Sequence, residues 1–391
     1  MATLIVNLGP YRFSTRSRKA ANVFASTMET TFLSLERVGR SGRADAHGRW
    51  LLRNGELNVR QLKVWPIRTE PSIASQVWNA GVVYSSAWVR LLLTAVRIKA
   101  DQVYVTNLSM ASMGVVYKIL RGANLCVDIN ERPGFGTTKG SVASISAKFD
   151  PLTLRIVRRF ADTVMVATPA DKEYLESTLG FRNVHVVLNA PELDQRSEYV
   201  DPPLESSFKL VCVGSIFEGR AYEQMIDAVG ILTSRGDSVQ LEIVGGGREA
   251  YVESLKARVA ELNLESSVLF RGPISPDQVS DAYLSADAGL VLYEPTGPAN
   301  DGLSNKLMEC VSSGRPVIAG NLPQNREFVS GNNVGWVTSV DASSLAETIA
   351  TAMGSKDLKE LSRHCRSLGD TVLNWESQFE PVASSVQRPA S

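Results

Sequence analysis

The chain has 391 residues, 44% hydrophobic and 21% charged, with 41 Lys and Arg balanced by 41 Asp and Glu. That length accommodates two ordinary domains, each with its own core, and the composition excludes a disordered or fibrous chain. No run of about 18 uncharged apolar residues occurs to span a membrane. The opening MATLIVNLGPYRF goes straight into a strand pattern with no charged leader segment, so no signal peptide is expected. The four cysteines, Cys126, Cys212, Cys310 and Cys365, are scattered without a CxxC pair, which fits free thiols in a reducing, cytoplasmic setting.

In the first half, the strand-like runs are TLIVNL (3–8), TTFLSL (30–35), QVYVTNL (102–108), NLCVDIN (124–130), TVMVAT (163–168) and VHVVLN (184–189). The loop after the first run carries Arg12, Arg16, Arg18 and Lys19. This cluster either meets an anionic acceptor or phospholipid headgroups, or is the solvated basic first turn of a helix. Residues 87–100, AWVRLLLTAVRIKA, are amphipathic; packing on the sheet is favoured over lying in a membrane interface. Residues 191–207 are polar, contain prolines and lack an apolar period, as a linker does.

A second series follows: KLVCVGS (209–215), LEIVG (241–245), VLFRG (268–272), AGLVLY (288–293), PVIAG (316–320) and GWVTSV (335–340). A terminal helix is expected over about 371–391, with Trp375 anchoring a return to the first domain. Continuous apolar strands alternating with helices indicate parallel sheets covered on both faces. The expectation is an α/β chain of two Rossmann-like, doubly wound domains, 1–190 and 208–370, facing a cleft. Ligands in such sheets bind outside the carboxyl ends of the strands. Charge divides between the halves. Residues 1–200 hold 26 Lys and Arg against 16 Asp and Glu, and the remainder 15 against 25. The first half therefore favours an anionic partner, either an acceptor or a membrane surface.

The stretch NDGLSNKLMECVSSGRPVIAG (300–320) is the strongest site candidate. Ser304 is a good N-cap for a helix starting at Asn305. The backbone amides around Gly302, Leu303, Ser304, Asn305 and Lys306 would face an anion at the positive end of the helix dipole. Lys306 adds a mobile cation, while Asp301 and Glu309 are acceptors on either side, suited to sugar hydroxyls. A surface helix with an ordinary i,i+3 Lys–Glu pair fits this stretch equally well when it is taken alone. Other strand ends add to it. Gly214 ends a strand where a backbone can approach a ligand closely, and Arg220 follows at phosphate-clamp distance. Gly245, Gly246 and Gly247 end the next strand and by themselves amount to a turn. After VLFRG, the backbone at Pro273, Ile274 and Ser275 could read a base edge.

The order VG with a downstream basic residue, LEIVGGG, VLFRGPIS, YLSADAGLVLYEP and the acid-x7-acid stretch ending GRPVIAG resembles the donor domain of retaining GT-B glycosyltransferases of the "group 1" type, glycosyltransferase family 4. The resemblance covers about 209–350 well and the first half more loosely. It implies a nucleoside diphosphate sugar as co-substrate and transfer with retention of anomeric configuration. The same resemblance assigns Glu309 to the ribose, Asn305 and Lys306 to the diphosphate, and Asp301, in place of the family's Glu, to the transferred sugar. Ser215 stands where the family carries Arg, so phosphate neutralisation would rest on Arg220 and Lys306. In NLCVDINERPGFG, Asp128, Asn130 and Glu131 resemble the family's acceptor-side pattern, with Asn130 in place of His. Arg16 and Arg18 are the other acceptor-side candidates.

The three histidines are dispersed and no DxD is present, so leaving-group stabilisation without a metal or other cofactor is expected. The reading is thus a glycosyltransferase, expected to act in surface polysaccharide or glycolipid synthesis on a glycan or lipid-linked acceptor, with no nucleic-acid partner. It is placed in the cytoplasm, with peripheral contact at the inner membrane face. The alternatives are a sugar-nucleotide epimerase on the same plan and a non-catalytic nucleotide-sugar-binding homologue.

Overall fold

A computed structural model of the chain describes residues 1–7, 15–37, 48–52, 55–64, 85–130, 141–204, 206–295 and 302–387. They form two compact units, one of Met1–Leu188 with Phe379–Ser391 and the other of Asn189–Gln378.

The first unit is built on β1 (Ala2–Asn7), β2 (Glu29–Arg37), β3 (Gly48–Leu52), β4 (Gly55–Val64), β5 (Gln102–Thr106), β6 (Asn124–Ile129), β7 (Thr163–Val166) and β8 (Val184–Val186). Their order in the sheet is β3-β4-β2-β1-β5-β6-β7-β8. All neighbours are parallel except the β3–β4 hairpin at the edge. The helices are α1 (Thr15–Ala25), α2 (Ser85–Arg97), α3 (Leu108–Arg121), α4 (Ser141–Phe160) and the short α5 (Pro169–Glu173).

Two features depart from the expected pattern. The β3–β4 hairpin has no counterpart among the apolar runs, because β4 is half-covered. Leu57, Val59 and Gln61 are buried while Arg60 between them is exposed, an alternation interrupted by a buried amide. The second departure is in α1, where Arg16 and Lys19 are buried, so this turn is not a solvated basic surface. Helix α2 packs on β2 and β4 through Ala87, Leu91 and Ala95, spaced one turn apart, and turns Val89 and Leu93 outward.

The second unit carries β9 (Phe208–Val213), β10 (Val239–Val244), β11 (Val268–Gly272), β12 (Ala288–Val291), β13 (Val317–Gly320) and β14 (Gly335–Thr338). They lie in the order β11-β10-β9-β12-β13-β14, all parallel. Its helices are α6 (Tyr222–Ser234), α7 (Glu249–Glu261), α8 (Val279–Leu284), α9 (Asn305–Ser313), α10 (Pro323–Asn332), α11 (Ala342–Met353), α12 (Leu358–Thr371) and α13 (Trp375–Gln387). Leu210, Cys212, Leu241 and Ile243 pack with Met225 and Val229 of α6 and Ile349 of α11 in one core. The strand order reverses between β9 and β12, and at such a switch point two loops leave in opposite directions and open a crevice for a ligand.

The segment expected to be a linker is held to this unit. The buried Arg315 guanidinium donates to the carbonyls of Val200 (2.9 Å), Asp201 (3.3 Å), Leu284 (2.7 Å) and Ala286 (2.6 Å). Trp375, fully buried at the start of α13, donates its backbone N–H to Pro191 at 2.9 Å. From Phe379 onward the same helix groups with the first unit, where the Phe379 ring meets Phe24 edge-on at 5.2 Å.

Candidate anion site at the switch point of the second unit

The carboxyl ends of β9 and β10 are drawn together beyond the regular strands. The Gly214 N–H donates to Val244 and the Ile216 N–H to Gly246, each at 2.9 Å, and Ile216 bridges Gly247. The glycine cluster is therefore a continuation of the ladder and not only a turn. Gly245 has φ +154°, and a side chain there would drive its Cβ into the Gly214 carbonyl. Gly245→Ala is expected to destabilise the protein by about 2–4 kcal/mol through backbone strain and overpacking. Urea denaturation would measure this, and a loss below about 1 kcal/mol would show that the close approach is not needed.

Gly214 itself has φ +133°, and a Cβ there would lie 2.7 Å from Arg220 Nη1 and 3.1 Å from Lys306 Cε. Three residues singled out from separate parts of the sequence thus converge on one point. Arg220 is 2% exposed and donates to the carbonyls of Ser215 (3.0 Å) and Val213 (3.4 Å). Among the described residues its Nε is buried without a hydrogen-bond partner and no carboxylate pairs with it. Three rings surround the guanidinium, with centroids 5.1 Å (Tyr293), 5.7 Å (Tyr222) and 6.0 Å (Phe217) from its carbon. Burial works against the charge, but Cys212, Tyr222, Tyr293 and Tyr283 raise the pKa above its ordinary value, so the cation persists. The next residue, Ala221, is a non-glycine in the left-handed region (φ 54°) and fully buried, a strained junction that aims Arg220 back under the strand end.

Helix α9 begins as its cap residue dictates. The Ser304 hydroxyl accepts from the Lys306 N–H at 3.2 Å. Leu307, Met308, Cys310 and Val311 are buried, which leaves Lys306 and Glu309 on the outer face. Lys306 Nζ lies 2.7 Å from Glu309 Oε2, and each side chain is 25% exposed. The first turn thus offers backbone donors and a lysine beside a buried guanidinium, and one turn on a carboxylate acceptor. That donor set suits an anion flanked by hydroxyls.

Of the other candidates, Ser215 is exposed and contributes its carbonyl to Arg220 and to the Tyr222 hydroxyl (3.3 Å). Gly302 and Asn305 are exposed and Leu303 half-buried beside the helix start. Ile274 is half-buried after β11, next to Pro273, which packs 3.7 Å from where a Gly246 side chain would begin. Asp301 lies outside the described residues, as do Arg12 and Glu131. No expectation attached to Tyr293, Tyr222 or Phe217. The only available signal was an aromatic residue at a strand end.

On the first unit, Arg16 does not present its charge outward. It makes a bidentate pair with the fully buried Asp128 (Nε–Oδ2 and Nη2–Oδ1, both 3.0 Å) and donates to the Val187 carbonyl at 2.8 Å. The Tyr104 hydroxyl donates to the same carboxylate at 2.6 Å. Burial opposes the Arg16 charge and Asp128 restores it, with a net upward shift, while burial and Asp128 both push Tyr104 well up. Arg18 is half-buried. Asn130, just past β6, is half-buried, and its Oδ1 has no partner among the described residues. Among the described residues no three His, Cys, Asp or Glu side chains converge as metal ligands, and no helix is long and apolar enough to cross a membrane.

Comparison with known proteins bears on the second unit most directly. Residues 207–355 match the family model described as glycosyl transferases group 1. A GDP-mannose-dependent alpha-(1-6)-phosphatidylinositol monomannoside mannosyltransferase of Mycobacterium tuberculosis is 30% identical over 158 residues, 37% of this chain and 40% of that protein. Mannosylfructose-phosphate synthase of Agrobacterium fabrum is 24% identical over 181 residues, 42% of this chain and 38% of that protein. The chain thus matches about two fifths of the length of these curated relatives. Among solved structures, Anabaena Alr3699/HepE in complex with UDP and glucose superposes with a TM-score of 0.66 at 14% identity, covering 99% of both chains. WaaG, a glycosyltransferase involved in lipopolysaccharide biosynthesis, gives 0.60 at 15% identity over 100% of both. The fold is that of GT-B glycosyltransferases, with two parallel-sheet α/β units.

Proposed function

Starting from a GT-B fold whose second unit matches the group 1 glycosyltransferases, we propose that the chain transfers a sugar from a nucleoside diphosphate sugar to an acceptor hydroxyl with retention of anomeric configuration. The observation that carries this reading is the convergence of Arg220 and Lys306 at Gly214, beside the first turn of α9 and at the switch point of the sheet. In this reading the diphosphate lies over Gly214, where the missing side chain leaves room, and Arg220, Lys306 and the amides of α9 stabilise the charge that grows as the sugar departs. Donors already held in place do not need to reorganise during the reaction, and the environment around Arg220 is dry enough for its charge to act strongly. Glu309 accepts from ribose hydroxyls. Asp301, Asn130 and Glu131 belong to the sugar and acceptor side. No metal is required, and no protein nucleophile.

Two of the curated relatives support a lipid-linked acceptor. One is named for a phosphatidylinositol monomannoside, and another, from Streptococcus pneumoniae, is an alpha-monoglucosyldiacylglycerol synthase. With the excess of basic residues before position 200, we place the protein in the cytoplasm at the surface of an anionic membrane, in polysaccharide or glycolipid synthesis.

The test is product analysis after incubation with UDP- and GDP-sugars, with and without glycolipid acceptors. The expected result is acceptor-dependent transfer, with the donor's anomeric configuration kept in the product by NMR. Acceptor-independent isomerisation of the nucleotide sugar would replace the transferase reading with an epimerase. Binding without any turnover would reduce it to a nucleotide-sugar-binding protein.

A further inference from the structure

We propose that Tyr293 is a positioning residue that fixes Arg220 and the first turn of α9 at one spacing, so that together they grip a diphosphate; this rests on the reading of the site given above. Tyr293 lies two residues past the end of β12, at the switch point. Its ring is the nearest of the three around the Arg220 guanidinium, 5.1 Å from the carbon. Its hydroxyl accepts from Ser304 Oγ at 3.3 Å, and the same Oγ accepts the Lys306 N–H at 3.2 Å. The Glu294 N–H, one residue on, donates to the Gly219 carbonyl at 2.9 Å, in the loop that carries Arg220. Residues 293 and 294 therefore touch both anion-binding elements, which are joined to different strands.

This bridge matters because Arg220 lacks the usual means of fixing a buried cation. Among the described residues it has no carboxylate partner, and its acceptors are two backbone carbonyls and, at 3.9 Å, the Cys212 sulfur. A guanidinium stacked against aromatic rings is held in direction while keeping its outward N–H groups available. The Ser304 cap, in turn, sets where the first amides of α9 point. A ligand with two phosphates depends on the distance between these elements. A ligand with one phosphate depends much less on it.

The test compares nucleoside diphosphate and monophosphate binding by calorimetry on the full chain, using UDP with UMP and GDP with GMP. Wild-type protein is expected to prefer one diphosphate over its monophosphate. Tyr293→Leu should shrink that preference about tenfold while changing monophosphate affinity less than threefold, and Tyr293→Phe, which keeps the ring, should shrink it about threefold. Because the hydroxyl acts through the cap, the Tyr293→Phe/Ser304→Ala double variant should lose no more than Ser304→Ala alone. A merely structural role would weaken both ligands together, and that result overturns the proposal. Multiplying effects of the two single variants would overturn it too. If Tyr293→Leu fails to fold, the Phe variant and the double variant still decide. Wild-type protein that binds neither diphosphate overturns the reading of the site, and this proposal with it.

Discussion

Lys306→Ala is expected to lower sugar transfer by about 10²–10³-fold, the loss typical of removing one preorganised donor from a site of developing negative charge. The same change should leave the fold intact. Its side chain is a quarter exposed and, among the described residues, its only side-chain partner is Glu309, an i,i+3 pair worth about 0.2–0.5 kcal/mol on a helix surface. The main-chain N–H that completes the Ser304 cap is unaffected. The separation is what makes the variant informative: thermal unfolding should move little while kcat collapses. Near-normal turnover in a folded variant would remove Lys306 from the chemistry and return the α9 stretch to an ordinary capped helix.

Arg16→Ala should have the largest effect on stability, about 3–5 kcal/mol, because it strands a carboxylate that is fully buried. Asp128 would lose two of its charge-assisted hydrogen bonds and keep the one from Tyr104, and the Val187 carbonyl would lose its donor. Replacing both partners with apolar residues, Arg16→Met with Asp128→Leu, is expected to recover part of the loss by removing the unpaired charge, the remainder being the Tyr104 hydroxyl and Val187 carbonyl left without partners. Urea denaturation of the two variants side by side would measure this. If the single variant lost less than about 1 kcal/mol, Arg16 would be free to leave Asp128, and its acceptor-binding role would reopen.

Much of the architecture could be read along the chain because central parallel strands are covered on both faces and spell continuous apolar runs; β9, β12 and β13, inner strands of the second unit, announce themselves in this way. The edge hairpin could not be read, since a half-exposed strand with Gln61 among its buried positions breaks the alternation that would mark it. In the site, Ser304 marks the helix start, and Lys306 and Arg220 stand out as cations after strand ends. Their convergence at Gly214 is a through-space fact that no local spacing encodes. Arg16 shows the opposite case. In a run of basic residues, water is the ordinary neighbour, and only a carboxylate 112 positions away reveals that this arginine is spent inside the protein. Tyr293 shows locally as no more than an aromatic residue after a strand, because its importance lies in what it touches on either side.

In the proposed function the second unit holds a nucleoside diphosphate without a metal. A thermal-shift titration of the full chain with UDP and with GDP, in the presence of a chelator, tests it most directly. One of the two is expected to stabilise the protein, by about 2.7 kcal/mol when present at a hundredfold excess over its Kd, and Lys306→Ala should weaken that effect. No shift with either diphosphate would remove the nucleotide site, and a shift that disappears with the chelator would make binding depend on a metal.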